Sequence, residues 1–473
     1  MVIRPRSGRI PRKSTLSSAV HAAAAPCPAV ANGRGTYDTP DFTLTRPHKA
    51  GGQIEFTVHG SRVEAGQWIA EAIWHSTSQH LPGDGQYPHQ LSRRFASRSE
   101  AVEHAIHHGL RQVRDQLGGM AAKPTWSARI EALQTWATDA VFQVREHDET
   151  LRLHGKTVID LCSGGTGGFG VAFTSLGAKV LLAVEIDAEA RATYQRNVRP
   201  AEMHDDLCTL DGTKRHCDIL AVSLICTPFS KAGKRQGLAD PKLTEVYSHT
   251  LRLLREIDAK VIIIECARQL LTLNGGRDGA AVREVLMKAG YRVQQRTLNA
   301  AGFGVPQSRE RSFIVATRLG LATDDVLGYV FPQEQAPTAA VEDILEPGIP
   351  ATIPEHEIEL HTEEPAKRTT ELVEVGLIGG KDYQGYRVYS PRGIGATMTA
   401  SGGGRARCTG AYRVSGGARG LTPREAARMQ GLPEWATHHP VATHALRHAG
   451  NALAVPLARE LGRQLAAHLA SRT

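Results

Sequence analysis

The stretch TVIDLCSGGTGGFG, residues 157–170, decides the fold of this chain. Its apolar start has the composition of a short buried strand, and the glycine-rich turn that follows predicts a strand-to-helix connection. Such a turn presents free backbone N–H groups and the positive end of a helix dipole to a ligand. Four further apolar runs follow it: VLLAVE (180–185), DILAVSLI (218–225), VIIIE (261–265) and SFIVA (312–316).

The intervals between these runs are long enough to hold crossover helices. Near-continuous apolar strands are typical of a sheet that is covered on both faces. We therefore predict an α/β fold with a doubly wound, mostly parallel sheet, of the Rossmann-like kind.

The composition excludes several classes of protein. Of the 473 residues, 41% are hydrophobic and 22% are charged, which excludes a wholly disordered chain. No apolar window approaches the ~18 residues that a membrane span needs, so we expect no membrane association. The net charge of +8 favours a polyanionic partner. The cysteines are scattered without a C-x-x-C pair, so we predict neither a disulfide framework nor a metal site.

Composition also divides the chain into regions. Residues 1–50 are basic at their start and poor in acidic residues, and we predict a disordered basic tail there. Residues 51–150 show helical periodicity and form a predicted N-terminal accessory module that is mainly helical. Residues 155–333 hold the predicted sheet domain, and residues 421–473 return to that domain with a last helix.

One helix of the accessory module is well marked in the sequence. Ser97 and Glu100 have the spacing of a capping box. Five apolar residues then recur on one face: Val102, Ile106, Leu110, Val113 and Leu117. The opposite face carries His104, His107, His108, Arg111 and Arg114. We favour a solvated surface there, with contact to DNA or to a protein partner as the alternative.

Residues 334–420 lose the alternation of strands and helices. The part 334–374 carries 11 acidic residues, whereas 381–424 carries eight basic residues and a single acid. Glycines cluster at 402–404 and between 416 and 420. Glycines let a backbone approach phosphates, and arginines suit phosphates and guanine edges, so this small, loop-rich region is a candidate target-recognition domain. A merely solvated loop is the alternative.

The glycine turn alone does not identify a cofactor. Gly165, Gly167 and Gly170 satisfy G-x-G-x-x-G, which is a weak signal by itself. Glu185, at the end of the next apolar run, is placed to accept hydrogen bonds from a ribose diol. NAD and S-adenosylmethionine both contain that diol, so both remain consistent with these residues.

Three further apolar runs carry reactive side chains at one end. Cys226 follows one run, Glu265 ends the next, and Arg309 and Arg311 precede another. Doubly wound folds bind ligands at the carboxyl ends of their strands, so we expect a thiol, a carboxylate and guanidinium groups at one edge of the sheet. A buried core cysteine is the alternative for Cys226.

Taken in order, these residues resemble the motifs of the DNA (cytosine-5) methyltransferases over residues 156–470. The glycine turn is similar to the family's first motif, and residues 184–187 are similar to its second. Asp206 matches the acid that contacts the adenine amino group, and residues 226–230 match the nucleophile loop. Glu265, the Q-x-R-x-R residues 307–311, and residues 422–428 and 450–452 complete the resemblance.

The resemblance implies an enzyme that uses S-adenosylmethionine and flips its target base out of double-stranded DNA. Cys226 would add to C6 of the cytosine, its thiolate favoured by nearby cationic charge. Glu265 would bind or protonate N3, while Arg311 and Arg309 would contact the O2 edge. The implied cofactor residues are Asp160, Gly164, Gly165, Gly167, Glu185, Asp206 and Asn451. The expected DNA contacts are Ser230, Lys234, Gln307, Arg405 and Arg407.

The same resemblance suggests a bacterial modification system and a cytoplasmic, nucleoid-associated location. We expect a monomer on DNA, with the accessory module as a candidate docking site for a protein partner.

Some positions depart from the family pattern. The family's Pro-Cys-Gln reads ICT at residues 225–227, its Glu-Asn-Val reads ECA at residues 265–267, and Cys162 stands where an aromatic residue usually contacts the adenine. These residues support the chemistry and the reacting groups are kept, so we expect activity to survive. The remaining alternatives are a DNA-binding regulator without activity, an RNA cytosine-5 methyltransferase and, least favoured, an NAD dehydrogenase.

Overall fold

The computed structural model describes residues 42–46, 54–62, 67–76, 85–86, 94–117, 124–146, 148–226, 229, 236–320 and 328–470. Most of the predicted basic tail lies outside these residues. Phe42–Arg46 nevertheless forms a strand, so the predicted tail is wrong at its end and folded structure begins before residue 51. Among the described helices, none combines the length and the apolar composition that crossing a membrane requires.

The accessory module combines an antiparallel sheet with two long helices. Its strands are β1 (Phe42–Arg46), β2 (Ile54–Arg62), β3 (Trp68–Ser76) and β4 (Gly85–Gln86), paired in that order. Its helices are α1 (Arg98–Leu117) and α2 (Pro124–Glu146).

The prediction of a mainly helical module omits this sheet. In β2, Phe56 and Val58 are buried, while the alternating residues Thr57 and His59 are partly exposed, which is the period of a half-buried strand. In β3 the central Ala-Glu-Ala has good helix propensity, and pairing with β2 overrides that local preference.

The structure confirms the predicted environment of one face of α1 and contradicts that of the other. The apolar face is buried as predicted, and the backbone N–H of Glu100 donates to Ser97 Oγ at 3.1 Å. The opposite face is not the solvated surface that we favour from the sequence. His107 Nδ1 accepts from the backbone N–H of Glu434 at 3.1 Å, and Arg114 donates to Gln134 Oε1 at 3.0 Å. This face therefore binds the rest of the chain.

The central sheet has seven strands in the order β10-β11-β9-β8-β5-β6-β7. They are β5 (Thr157–Leu161), β6 (Lys179–Val184), β7 (Glu202–His204), β8 (His216–Ser223), β9 (Asp258–Ala267), β10 (Tyr291–Asn299) and β11 (Glu310–Arg318). The helices between them are α3 (Gly168–Thr174), α4 (Ala188–Val198), α5 (Thr244–Glu256) and α6 (Arg277–Lys288). The doubly wound α/β prediction is confirmed.

The direction of β11 matters most for the site. Strand β11 runs antiparallel to both of its neighbours, β9 and β10, whereas β5, β6, β7, β8 and β9 pair in parallel. A parallel SFIVA strand would place the residues before it at the far edge of the sheet. Because β11 is reversed, its start lies beside the carboxyl ends of β8 and β9.

The sheet is buried on both faces, which explains its apolar strands. Val158, Ile219 and Ile263 face one core cluster, and Ile159, Leu220 and Ile262 face the other. The first cluster also contains buried residues of β2, α1 and α2. The accessory module thus shares a hydrophobic core with the sheet domain.

A second sheet lies within the predicted target-recognition region. Its strands are β12 (Ile353–Pro354), β13 (Ile358–Leu360), β14 (Glu374–Ile378), β15 (Arg387–Tyr389), β16 (Ala411–Val414) and β17 (Gly417–Arg419). They are arranged in the order β12-β17-β16-β15-β14-β13. The chain then returns to the central sheet through α7 (Pro423–Met429), α8 (Ala442–Asn451) and α9 (Val455–Ala470).

Glu434 joins the accessory module to the C-terminal region through a buried cluster of charges. Its carboxylate lies 2.6 Å from Nε of Arg428, 3.4 Å from Nε of Arg114 and 3.8 Å from Nε of Arg424. Burial raises the pKa of this fully buried carboxyl, but Arg424, Arg428 and Arg114 together hold it well below its ordinary value. The carboxylate is therefore charged in the folded protein.

We predict that Glu434→Gln lowers the free energy of unfolding by about 3–5 kcal/mol, because it leaves buried arginines without their counter-charge. Since the folded pKa is depressed, the stabilisation is present above pH 4.5 and is lost as the pH falls. Urea denaturation at neutral and acid pH measures both effects.

The matched control is Glu355→Gln, which removes a partly exposed ion pair with Arg413. It should cost about 0–1 kcal/mol. Equal losses in the two variants would contradict the role given to Glu434.

Candidate active site

The glycine turn joins β5 to α3 through left-handed backbone. Cys162, Gly164 and Gly167 have φ values of 55°, 66° and 67°. A Cβ on Gly167 would lie 2.9 Å from the Tyr194 ring, so both the dihedral angle and the space require glycine there. The turn consequently presents backbone, not side chains, above the end of β5.

Asp160 supports this turn from beneath. It is buried, and its Oδ2 accepts a hydrogen bond from the Tyr194 hydroxyl at 2.7 Å. Burial raises the pKa of Asp160 to about 7, although the Tyr194 hydrogen bond lowers it in part. Asp160 therefore stabilises the glycine turn through its hydrogen bond with Tyr194. Sequence analysis did not identify Tyr194.

Glu185 holds the edge of the same turn. Its carboxylate accepts from the backbone N–H of Gly164 at 2.9 Å and from that of Asp187 at 3.0 Å. Asp206 follows β7, the next strand of the sheet, and its Oδ1 accepts from the backbone N–H of Cys208 at 2.9 Å. The carboxylates predicted from sequence to contact a cofactor therefore follow adjacent strands.

Helix α8 closes the other side of the turn. Asn451, its last residue, is exposed, whereas His448 one turn earlier is 5% exposed. A Cβ on Gly165 would lie 2.5 Å from His448 Nδ1, so the imidazole lies directly against the turn. Among the described residues, neither ring nitrogen of His448 has a hydrogen-bond partner. Sequence analysis missed this histidine because nothing in its local pattern links α8 to the glycine turn.

Cys226 lies just beyond the end of β8 and is partly exposed. The Tyr247 hydroxyl donates to the carbonyl of Ile225 at 2.9 Å, and the backbone N–H of Phe229 donates to the carbonyl of Cys226 at 3.0 Å. Phe229 is fully buried. These contacts hold the backbone on either side of the thiol.

Glu265 and Arg311 face each other across the β9–β11 pair. Arg311 Nε lies 2.9 Å from Glu265 Oε1, and the Glu265 side chain is 9% exposed. Burial raises the pKa of Glu265 above its ordinary value, and the lowering by Arg311 and Arg309 does not cancel that effect. The structure thus brings a carboxyl group with a raised pKa to the edge of the sheet where Cys226 lies.

The charges of Arg311 and Glu265 also affect the pKa of Cys226. Burial raises the pKa of the Cys226 thiol, Arg311 lowers it, and Glu265 raises it further. The net direction is upward. Arg311 lowers the thiol pKa, as expected of nearby cationic charge, but burial is the larger effect in the free protein.

Arg309 keeps one donor unused, because its buried Nε has no hydrogen-bond partner among the described residues. Its two terminal nitrogens donate to the carbonyl oxygens of Met398 at 2.9 Å and of Gly450 at 2.8 Å. This buried guanidinium ties the start of β11 to the target-recognition region and to α8. Arg309 therefore has a positioning role, and its predicted contact with the base stays a prediction.

Gln307 is also placed differently from our prediction. The residue is fully buried, its amide nitrogen donates to the carbonyl of Met429 at 3.1 Å, and its amide oxygen accepts from the backbone N–H of Met398 at 3.0 Å. A direct contact with DNA is therefore wrong for Gln307.

The other predicted DNA contacts have mixed outcomes. Ser230 and Lys234 lie outside the described residues. Arg405 and Arg407 are exposed in the segment between β15 and β16, and Arg405 forms an ion pair with Glu357 at 2.7 Å.

Comparison with known proteins identifies the relatives of the sheet domain. A family model described as C-5 cytosine-specific DNA methylase matches residues 156–467. The Type II methyltransferase M.HhaI of Haemophilus parahaemolyticus is 31% identical over 307 residues, which cover 64% of this chain and 92% of that protein. The Type II methyltransferase M.NlaX of Neisseria lactamica is 31% identical over 326 residues, which cover 66% of this chain and 97% of that protein.

We predict that Cys226 is alkylated by iodoacetamide with a midpoint above pH 9.0, because its thiol pKa is raised and the thiolate is the reactive form. Glu265→Gln should move the midpoint to lower pH, since it removes a negative charge that raises the pKa of Cys226. Mass spectrometry of the Cys226 peptide over a range of pH values measures the profile.

Glu310→Gln is the control, because Glu310 lies on the same strand but is exposed and paired with Arg268. It should leave the midpoint unchanged. A wild-type midpoint below pH 9.0, or an upward shift in Glu265→Gln, would contradict the assignment.

Proposed function

The chain belongs to the C-5 cytosine-specific DNA methylases, and from this premise we propose that it methylates C5 of a flipped cytosine in double-stranded DNA through a covalent bond from Cys226 to C6. The observation that carries the proposal is the convergence of three groups on one sheet edge. Cys226 follows β8, Glu265 lies near the end of β9, and Arg311 pairs with Glu265 from the start of the reversed β11.

The glycine turn offers a suitable place for S-adenosylmethionine. Glu185 retains acceptor capacity for ribose hydroxyls beyond its two backbone contacts. The Asp206 carboxylate accepts from the backbone N–H of Cys208 and, with several lone pairs, can accept further hydrogen bonds. His448 adds a buried imidazole beside Gly165 that has no hydrogen-bond partner in the described part of the chain, and buried polar groups of this kind are normally satisfied. When bound, S-adenosylmethionine supplies an electrophilic methyl group.

The chemistry proceeds through the thiolate. Cys226 loses its proton and adds to C6, which forms the sulfur–carbon bond, while Glu265 donates a proton to N3. This proton prevents negative charge from accumulating in the ring, and C5 becomes an enamine carbon able to take up a methyl group. The methyl group would then pass to C5, with S-adenosylhomocysteine as the leaving group. Loss of the C5 proton to water, return of the N3 proton to Glu265 and cleavage of the sulfur–carbon bond would release 5-methylcytosine and the Cys226 thiolate.

The raised pKa values of Glu265 and Cys226 are consistent with different roles for the two groups. Burial favours the neutral form of Glu265, the form that can donate to N3. Arg311 offsets part of the burial effect on Cys226 and stays close to the carboxyl through Nε. It also remains the candidate contact for the O2 edge of the base.

The altered support of the nucleophile loop has a local substitute. The loop lacks the family's proline before the cysteine, but Tyr247 holds the Ile225 carbonyl and Phe229 anchors the loop in the core. Cys266, at the family's asparagine position, is fully buried. These contacts support activity, whereas loss of the usual support favours the second candidate, a DNA-binding regulator that does not methylate.

DNA binding is part of the proposal through Arg405, Arg407 and the loop that contains Ser230 and Lys234. We retain a monomer on DNA and a cytoplasmic, nucleoid-associated role in a bacterial modification system. A partner that docks on the accessory module would need a surface other than the face of α1 that binds Glu434.

We predict that DNA substituted with 5-fluorocytosine traps a covalent adduct in the presence of S-adenosylmethionine. Release of Cys226 requires loss of the C5 proton, and the substituted base carries fluorine in its place. The bond from Cys226 to C6 therefore persists, and the complex survives denaturing electrophoresis. Cys226→Ser should abolish the adduct while the variant still binds DNA.

Cys27→Ser and Cys408→Ser serve as matched thiol controls and should keep the adduct. Substituted tRNA tests the RNA alternative and should give none. Site-specific DNA binding without an adduct would favour the regulator, and an adduct that persists in Cys226→Ser would contradict the proposed nucleophile.

A further inference from the structure

Two histidines and a glutamate meet on the surface beside the cofactor turn. Glu189 lies in the first turn of α4, His444 lies in the first turn of α8, and His439 precedes that helix. One ligand atom from each side chain lies within 4.8 Å of the others. His439 Nε2 is 3.6 Å from Glu189 Oε2, and His444 Nδ1 contacts the same oxygen.

From this arrangement we infer a binding site for a divalent transition metal of the zinc type. Two imidazole nitrogens and one carboxylate oxygen form a donor set that Zn²⁺ favours, with the fourth position left for water or another ligand. Hard cations such as Mg²⁺ and Ca²⁺ prefer oxygen donors alone, so they fit this set less well.

The ring orientations are consistent with two ligands to one ion. The centroids of His439 and His444 are 4.8 Å apart and the rings are tilted by 36°. His439 Nδ1 lies within hydrogen-bond distance of the Val441 backbone, which leaves Nε2 as the nitrogen directed at Glu189. Backbone contacts of this kind orient metal-bound histidines in proteins.

The scaffold holds these ligands in place through other contacts. Arg447 donates to Asp187 Oδ2 at 2.7 Å, and Asp187 caps the same α4 that carries Glu189. Asn197 Nδ2 donates a hydrogen bond to the Thr437 carbonyl at 2.8 Å, and the Thr437 backbone N–H donates to Asn197 Oδ1 at 2.8 Å. The two segments are therefore preorganised. The side chains of Glu189 and His444 are 45% and 35% exposed, although Glu189 Oε2 and His444 Nδ1 are themselves buried against each other.

Other histidine–carboxylate contacts in the described residues lack this third ligand. His361 and Glu374 lie 3.4 Å apart as a simple pair. A second three-residue group, Cys208, Glu245 and His249, is less suitable for a metal. There burial and Asp206 raise the pKa of the thiol that would have to ionise, and Arg252 donates to His249 Nδ1.

The position of the site suggests what a bound ion would do. It would connect the start of α4 to the start of α8, on either side of the glycine turn. Asp187 lies beside Glu189 in sequence, and His448 of α8 lies against Gly165. A metal would therefore hold α4 and α8 in place on either side of the glycine turn. This inference does not rest on the proposed methyl transfer, because metal binding is measured without DNA or cofactor.

The test uses the full chain without an affinity tag, freed of metal with a chelator. Isothermal titration with Zn²⁺ and the visible absorption of added Co²⁺ report binding. We predict one Zn²⁺ site, which Glu189→Gln and His444→Ala each weaken by at least about tenfold. Zn²⁺ should raise the melting temperature of the wild type and have a smaller effect on either variant.

His361→Ala and His249→Ala are the matched controls and should bind Zn²⁺ as the wild type does. Circular dichroism of the metal-free variants confirms folding, and His439→Ala provides a third ligand variant if one fails to fold. Equal Zn²⁺ affinity in the wild type and in all folded ligand variants would overturn the site. Loss of binding in His249→Ala alone would assign the metal to the other group and equally overturn it.

Discussion

The ion pair between Glu265 and Arg311 is the interaction on which the rest of the site depends. It forms because β11 runs against β9, so that the first residues of one strand lie beside the last residues of the other. The carboxyl is largely buried, and burial raises its pKa even with a guanidinium 2.9 Å away. A buried pair of this kind does little for stability, since desolvation offsets the attraction. What it provides is a carboxyl with a raised pKa, close enough to Cys226 to affect the pKa of its thiol.

The surrounding structure keeps that edge rigid. Arg309 ties β11 to Met398 and Gly450, and Gln307 ties the same segment to Met398 and Met429. The sheet domain, the target-recognition region and α8 are thus joined immediately behind the reacting groups. Farther away, Glu434 fastens the accessory module to α7 through buried arginines. A module that the family model does not cover is therefore part of the framework of the catalytic fold.

The sequence predicts the doubly wound sheet because strands buried on both faces leave long apolar runs. It also predicts Cys226, Glu265 and Arg311, whose positions at strand ends are visible in the pattern. It does not predict the direction of β11, because the apolar run SFIVA indicates a buried strand without indicating whether that strand is parallel or antiparallel to its neighbours. Tertiary information is also missing for Gln307, which is interpreted as a DNA contact, whereas its buried amide binds the backbone of Met398 and Met429. The bonds from Arg309 to the carbonyls of Met398 and Gly450 are likewise not visible in the sequence. His448 and Tyr247 act on segments distant in sequence, and no local spacing marks them.

Sequencing of bisulfite-treated DNA from cells that express the chain tests the central claim most directly, because it reads the product of the thiol chemistry base by base. The account predicts protected cytosines at one recurrent sequence with the wild type and none with Cys226→Ala. Protected cytosines that persist with Cys226→Ala, or none with a folded wild-type protein, would contradict it.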